Sequence, residues 1–238
     1  MAHLRTWKLE TMLKLFLWLF LCLGIGGSVL ALLHPGGGKE TSSGLKFIMF
    51  LIGNLTFQGA ALLLIQWFLK EHDLGWREAL GWWDQERFGA LGMAVVTALV
   101  ALPVAMLLGN LSAECMEWLS MHPEPQAAVR TLQSTSSWSQ RLYFAAVAIG
   151  IAPVVEEFLF RGVLFPSVRQ LGYPKVAFWG TSLLFGAFHG SLVTFIPLTF
   201  LAVLLTGLYE RTGVLLAPIL THSLFNAANF AWLLMMDS

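Results

Sequence analysis

Two adjacent carboxylates, Glu156 and Glu157, lie in a segment of the chain that is otherwise apolar. Arg161 follows within the same segment, and His189 and His222 also stand in apolar surroundings further along the chain. An ionisable side chain inside a bilayer is costly, so its presence indicates a functional site by default. A carboxylate beside an imidazole can take a proton from water and so activate it for attack. The residue types therefore predict hydrolytic chemistry within a membrane, without a covalent intermediate.

Helical spacing gives the two glutamates different roles. Residues four apart share a helix face, whereas adjacent residues point about 100° apart. Glu157 and Arg161 are four residues apart, so an ion pair within one helix is predicted for them. Glu156 points elsewhere and stays available for chemistry.

Each of the two histidines shares a helix face with a second side chain, an amide in one case and an aromatic ring in the other. His222 shares a helix face with Asn226, and Phe185 shares one with His189, because each pair is four residues apart. A second histidine and an asparagine can donate hydrogen bonds to a developing oxyanion. Phe185 is predicted to shape the wall of the site by packing. A rise of about 1.5 Å per residue puts Glu156, His189 and His222 at similar depth, which predicts one shared cavity.

The composition requires a membrane around these helices. Of the 238 residues, 57% are hydrophobic and 12% are charged, whereas soluble domains carry about 25% charged residues. A formal net charge of zero and the absence of a basic stripe give no indication of a nucleic-acid partner. A membrane span needs roughly 20 apolar residues. The segments predicted as helices are Leu15–Leu33, Leu45–Leu69, Phe88–Leu108, Leu142–Val168, Lys175–His189, Leu192–Tyr209 and Val214–Met236.

These segments predict an all-α polytopic transmembrane bundle of seven to eight helices with a buried polar active-site cavity. The fifth helix could run on from His189 toward Ile196, which leaves one boundary open. Residues 1–141 are predicted to hold the N-terminal transmembrane helices and a polar connecting segment, and residues 142–238 the catalytic helical core. A turn-rich loop is predicted at His34–Gly44, and a short surface helix at Ala113–Met121.

Lysine and arginine in the loops favour a cytoplasmic N-terminus, since these residues are enriched in cytoplasmic loops. With that orientation the inside holds Arg5, Lys8, Lys14, Lys70, Arg77, Arg87, Arg169, Lys175 and Arg211, and the outside holds Lys39, Lys46, Arg130 and Arg141. The short loops predict an integral protein of a bacterial cytoplasmic (inner) membrane.

Three motifs resemble those of one known family. Glu156–Arg161 resembles the EExxxR motif of the CPBP family, the CAAX proteases and bacteriocin-processing enzymes. Phe185–His189 resembles its FxxxH motif, and His222–Asn226 its HxxxN motif. All three occur in the family's order inside apolar segments. The resemblance implies a glutamic intramembrane endopeptidase related to the Rce1-type prenyl-protein proteases.

By that resemblance, Glu156 would be the catalytic glutamate and His189 its partner in activating water. His222 and Asn226 would form the oxyanion site. Glu157, Arg161 and Phe185 would support the site. The implied substrate is a protein or peptide, membrane-anchored or lipid-modified, and no cofactor is expected.

Two alternatives remain open at this stage. Glu156, His189 and His222 could hold a zinc ion with an open position, although no HExxH spacing exists. A non-catalytic membrane protein, such as a bacteriocin-immunity protein or a scaffold, could also use polar residues near the midplane. A nucleophilic mechanism is not indicated, because Cys22 and Cys115 lack a partner and no Gly-x-Ser-x-Gly elbow exists.

Overall fold

A computed structural model describes residues 5–33, 43–82, 86–122, 126–133, 135 and 137–236 of the chain. These described residues form helices and no strand, so the predicted all-helical polytopic bundle is confirmed. The helices are α1 (Leu9–Leu33), α2 (Gly44–Lys70), α3 (Trp76–Ala79), α4 (Arg87–Trp118), α5 (Ala127–Gln133), α6 (Trp138–Gln170), α7 (Pro174–Phe188), α8 (Leu192–Thr212) and α9 (Leu216–Met236).

Six of these helices, α1, α2, α4, α6, α8 and α9, are long and apolar enough to cross a membrane by length and composition. Helix α7 has 15 residues, so it is about 22 Å long, shorter than a hydrocarbon core of about 30 Å. These seven helices correspond to the seven segments predicted from the sequence. Helix α7 ends at Phe188 because Gly190 adopts a left-handed backbone with φ +63°. The extension toward Ile196 is therefore wrong.

A second predicted boundary also differs from the structure. Helix α4 runs without a break to Trp118, so most of the surface helix predicted at Ala113–Met121 belongs to it. Gly109 and Asn110 cost the helix roughly 1 kcal/mol each at most. This cost is too small to end the helix, because the side chain of Ser112, beyond these two residues, is buried in the bundle. Most of the loop predicted at His34–Gly44 lies outside the described residues.

Small residues let α4 pack closely on α8 and α9. The buried alanines recur every three or four residues along one face of α4, at Ala90, Ala94, Ala98, Ala101 and Ala105. Ala90 and Ala94 form a buried cluster with Leu208 and Ala217. Ala101 and Ala105 form another with Leu201 and Phe225. Small side chains at such positions allow helix backbones to approach each other in a membrane. This packing holds α9 beside α8.

Several chain segments meet at one end of the bundle, which we call the N-terminal end. Arg5 Nη2 donates to Glu78 O at 2.6 Å, so the segment before α1 meets the α2–α4 connection there. Leu216 N donates to Leu80 O at 3.1 Å, which places the start of α9 at the same end. Helix α9 then runs for 21 residues, so the last described residues lie toward the opposite end.

Candidate active site

The turn that carries both glutamates lies between two π-helical segments of α6. The α-helical stretch Ala152–Glu157 is preceded by the π-helical segment Ala146–Ile151 and followed by Phe158–Leu164. Such segments are rare and occur frequently at functional sites. The sequence reasoning missed them, although Pro153 and Pro166, which cannot donate helical hydrogen bonds, were an available signal.

Glu157 is fully buried and its charge is balanced by Arg161. Arg161 Nη1 donates to Glu157 Oε1 at 2.8 Å and to Oε2 at 2.9 Å. Arg161 Nη2 donates to Ala202 O at 3.0 Å, and its Nε to Thr206 Oγ1 at 3.3 Å. A buried ion pair is tolerated when further hydrogen bonds satisfy its remaining donors and acceptors. The ion pair that the spacing predicted is therefore present, and α8 supplies the rest of its partners.

His222 is buried and links the two glutamates. Its Nδ1 lies 2.9 Å from Glu157 Oε1, and because an ionised carboxylate only accepts, Nδ1 carries the proton. Its Nε2 then faces Glu156 Oε2 at 3.9 Å. The bond between Glu157 and His222 was not anticipated from the sequence, because it joins residues 65 positions apart.

His189 approaches Glu156 from the end of α7. Its Nδ1 lies 2.8 Å from Phe185 O, a carbonyl that can only accept, so this nitrogen also carries the proton. Its Nε2 lies 3.8 Å from Glu156 Oε2. The structure thus brings together the three residues for which the sequence predicted similar depth.

Phe185 is fully buried at the centre of this group. Its ring centroid lies 4.9 Å from that of His189 and 5.7 Å from that of His222. The guanidinium carbon of Arg161 stands 4.7 Å from the same centroid. Phe185 therefore packs against both imidazoles and the cation, and its role in shaping the site stays a prediction.

Glu156 has a buried carboxylate oxygen, Oε2, without a hydrogen-bond partner among the described residues. Both histidine contacts of this oxygen exceed the usual 2.7–3.2 Å. The side chain of Glu156 is 16% exposed and that of His189 is 21% exposed. With both Nδ1 atoms protonated, the two Nε2 atoms and the carboxylate oxygen are all acceptors. Such a group can bind a small O–H donor such as water.

Asn226 contacts the first π-helical segment of α6. Its Nδ2 donates to Ala148 O at 2.8 Å. The N–H of Ala152 bonds to Val147 O, five residues back, and at that spacing Ala148 O would need Pro153, which has no N–H. One amide hydrogen of Asn226 supplies the missing donor. The second amide hydrogen remains available to donate to another group. Its oxyanion role stays a prediction.

A metal site finds no separate support in the geometry. Within the described ranges, no three His, Cys, Asp or Glu side chains form a cluster that could hold a metal ion. What the arrangement can do with its own side chains is to hold and move a proton at Glu156 Oε2.

Comparisons with known proteins agree with the motifs. A family model described as Type II CAAX prenyl endopeptidase Rce1-like matches residues 137–228, the range that contains all the site residues above. The chain is also 26% identical to the uncharacterized protein YpbD of Bacillus subtilis (strain 168) over 155 residues, 63% of this chain and 72% of that protein. No solved structure matches the chain. The family and the apolar helices together indicate an integral membrane protein and support a protease of the CAAX type. Residues 137–228 of this chain are therefore similar to the Rce1-like family.

Proposed function

We propose that this protein is a glutamic intramembrane endopeptidase in which Glu156 activates water to attack a peptide bond. One observation carries the proposal. Glu156 Oε2 has no partner among the described residues, while the Nε2 atoms of His189 and His222 face it at 3.8 and 3.9 Å. An unpaired carboxylate among apolar helices is costly, and general-base chemistry gives a reason to keep it.

The first chemical step is addition of water to the substrate carbonyl. Glu156, assisted by His189 Nε2, orients a water molecule and accepts one of its protons as the oxygen bonds to the carbonyl carbon. The second amide hydrogen of Asn226 stabilises the oxyanion that forms. His222 adds a donor in the form whose Nε2 also carries a proton.

Collapse of the tetrahedral intermediate then breaks the bond between carbon and nitrogen. Glu156 returns its proton to the leaving amine, and the acid product keeps the oxygen of the attacking water. No group on the protein is consumed, so the site is ready for another turnover.

The proposed substrate is a protein or peptide held at the membrane by an apolar anchor or a lipid modification. The family description names a prenyl endopeptidase, and the glutamates lie in the middle of the apolar helix α6. With the N-terminus inside, the site would act near the cytoplasmic half of the bilayer.

Mass spectrometry of membrane peptides tests the proposal in cells that express wild-type or variant protein. Glu156→Gln and His189→Ala should each lower cleavage by roughly 10²–10⁴-fold, the usual contribution of general acid–base catalysis. Glu114→Gln, an exposed position on α4, is the matched control and should cleave normally. Full cleavage by Glu156→Gln would overturn the proposed mechanism.

The same assay separates the two alternatives. Inactivation by a chelator, with recovery on adding zinc, would support the zinc-dependent protease in place of the metal-free one. A full biological effect of both Glu156→Gln and His189→Ala would instead support an immunity or scaffold role.

A further inference from the structure

Trp7 docks the segment before α1 onto the end of α6. Its side chain is buried at 7% exposure, with the ring centroid 5.0 Å from that of Phe68 and 4.9 Å from that of His72. Its indole Nε1 donates to Gly162 O at 2.7 Å. A tryptophan outside the membrane-spanning helices thus reaches the helix that carries both glutamates.

The carbonyl of Gly162 lies near the end of the π-helical segment, where α6 returns to α-helical spacing at Phe165. At α-helical spacing it would accept from the N–H four residues later, but that residue is Pro166, which has none. A buried acceptor without a donor costs about 1–3 kcal/mol. The indole N–H of Trp7 supplies a donor that α-helical pairing cannot provide at this position.

Gln170 fixes the backbone of Trp7 from the same helix. Trp7 N donates to Gln170 Oε1 at 2.9 Å, and Gln170 Nε2 donates to Trp7 O at 2.8 Å. Both main-chain groups of Trp7 and its indole N–H are thus bound to α6. Three hydrogen bonds to one helix indicate a specific docking site for this segment.

Gly162 lies next to the charged group of the site. It follows Arg161 directly, and both residues belong to the π-helical segment Phe158–Leu164, which starts immediately after Glu157. Gly162 is six residues beyond Glu156, about 9 Å along the helix, so Trp7 acts through α6 and not on substrate.

We propose that Trp7 is a positioning residue for the active site, in addition to the proposed function on which this inference rests. Its hydrogen bond fixes the backbone of Phe158–Leu164 at Gly162. The adjacent Arg161 bonds to Glu157 within α6 and to Ala202 O on α8, and Glu157 in turn holds the Nδ1 proton of His222. Without the indole donor, this part of α6 can shift relative to α8, which weakens the contact of Arg161 with Glu157 and so the position of His222.

The test replaces Trp7 in the full-length protein, purified in lipid, by phenylalanine and by benzothienylalanine, which keeps the ring shape but lacks the N–H. Both variants should lower kcat roughly tenfold, the effect of one lost buried hydrogen bond, with KM unchanged. Trp18→Phe, at a 52% exposed tryptophan of α1, is the control and should keep its kcat.

A second variant tests the cause. Pro166→Ala supplies an N–H that can bond to Gly162 O within the helix. In that background, Trp7→Phe should therefore lower kcat by less than threefold. Hydrogen–deuterium exchange at residues 158–170 gives a readout without activity: it should rise in both Trp7 variants and stay unchanged in Trp18→Phe.

Unchanged kcat and unchanged exchange in both Trp7 variants would overturn the positioning role of Trp7. A Trp7→Phe loss of equal size with and without Pro166→Ala would do the same, because the carbonyl would then not be the link. Glu156→Gln in the same assay separates the two proposals. Surviving activity in that variant contradicts only the catalytic role of Glu156.

Discussion

At the scale of single residues, two neighbouring carboxylates have opposite environments. Glu157 accepts from Arg161 and His222 and is fully buried. Glu156 is partly exposed, and its Oε2 has no partner among the residues that the structure describes. The first arrangement stabilises the fold, and the second leaves a group free to react. Stability and activity should therefore respond to different glutamates.

Glu157→Gln should destabilise the protein by about 3–5 kcal/mol, because it leaves the buried cation of Arg161 without its counter-charge. Glu156→Gln should leave the unfolding midpoint unchanged or slightly raised, since the carboxylate oxygen that it removes is unpaired. Thermal unfolding of both variants in the same detergent checks the contrast. Equal losses of stability would show that the two glutamates share one structural role.

Two arginines of α6 give a second comparison. Arg161→Met should cost about 3–5 kcal/mol by leaving Glu157 buried and unpaired, and should abolish cleavage. Arg169→Met breaks a partly exposed ion pair with Glu210, which is worth about 0–1 kcal/mol. Denaturation measurements on both variants test this. A large loss for Arg169→Met alone would contradict the assignment of the structural cation.

At the scale of elements, the site depends on the close approach of α7 and α8. A Cβ on Gly186 would lie 2.3 Å from Thr199 Oγ1 and 2.9 Å from Phe195 O, both on α8. Gly186 lies two residues before the end of α7 at Phe188, and His189 begins the connection to α8. The spacing of these two helices therefore sets the position of His189.

Gly186→Ala should cost about 1–3 kcal/mol through overpacking and lower kcat by displacing His189. Gly180→Ala on the same helix is the control, because its added Cβ would meet only Val176 at 3.6 Å. That change should be neutral or stabilise the protein by up to about 1 kcal/mol. Unfolding and cleavage are measured for both. A tolerated Gly186→Ala with normal kcat would contradict the close contact.

The alanine face of α4 is a second element-scale requirement. Ala98→Leu should push α4 away from α8 and α9 and cost about 1–3 kcal/mol, because the residue is only 2% exposed. Val96→Leu changes a 61% exposed position of the same helix and should have little effect. Comparison of their unfolding midpoints provides the test; a larger shift for Val96→Leu would mean that the packed face has been misassigned.

At the scale of the whole molecule, the segment before α1, the α2–α4 connection, the end of α6 and the start of α9 meet at the N-terminal end. This arrangement puts the last residues of α9 toward the opposite end. The loop charges predict that the N-terminal end is cytoplasmic. The division into residues 1–141 and 142–238 stays a prediction, as does the choice of membrane.

Reporter fusions in a bacterial host test the orientation. Alkaline phosphatase, which is active only outside the cytoplasm, should be active when fused after Met236 and inactive when fused after Asp73. A fluorescent protein that folds in the cytoplasm should show the reverse pattern. Phosphatase activity at Asp73 with none after Met236 would invert the predicted orientation and put the N-terminal end outside.

The sequence by itself determined the membrane class, the helices and the faces that the paired residues share. The periodicity of one helix sets which side chains stand four residues apart, so the Glu157–Arg161 pair and the availability of Glu156 could be read directly. The apolar flanks placed Glu156, His189 and His222 at comparable depth. The three family motifs repeat this local spacing.

Only the tertiary structure decided which groups meet across helices. His222 bonds to Glu157, Asn226 to Ala148 O, and Trp7 to Gly162 O, and each contact joins distant parts of the chain. Local periodicity cannot predict them, because they depend on how closely helices pack and on which carbonyls lose their helical donors. Prolines and π-helical turns release those carbonyls, and the three-dimensional packing selects the side chain that fills each one.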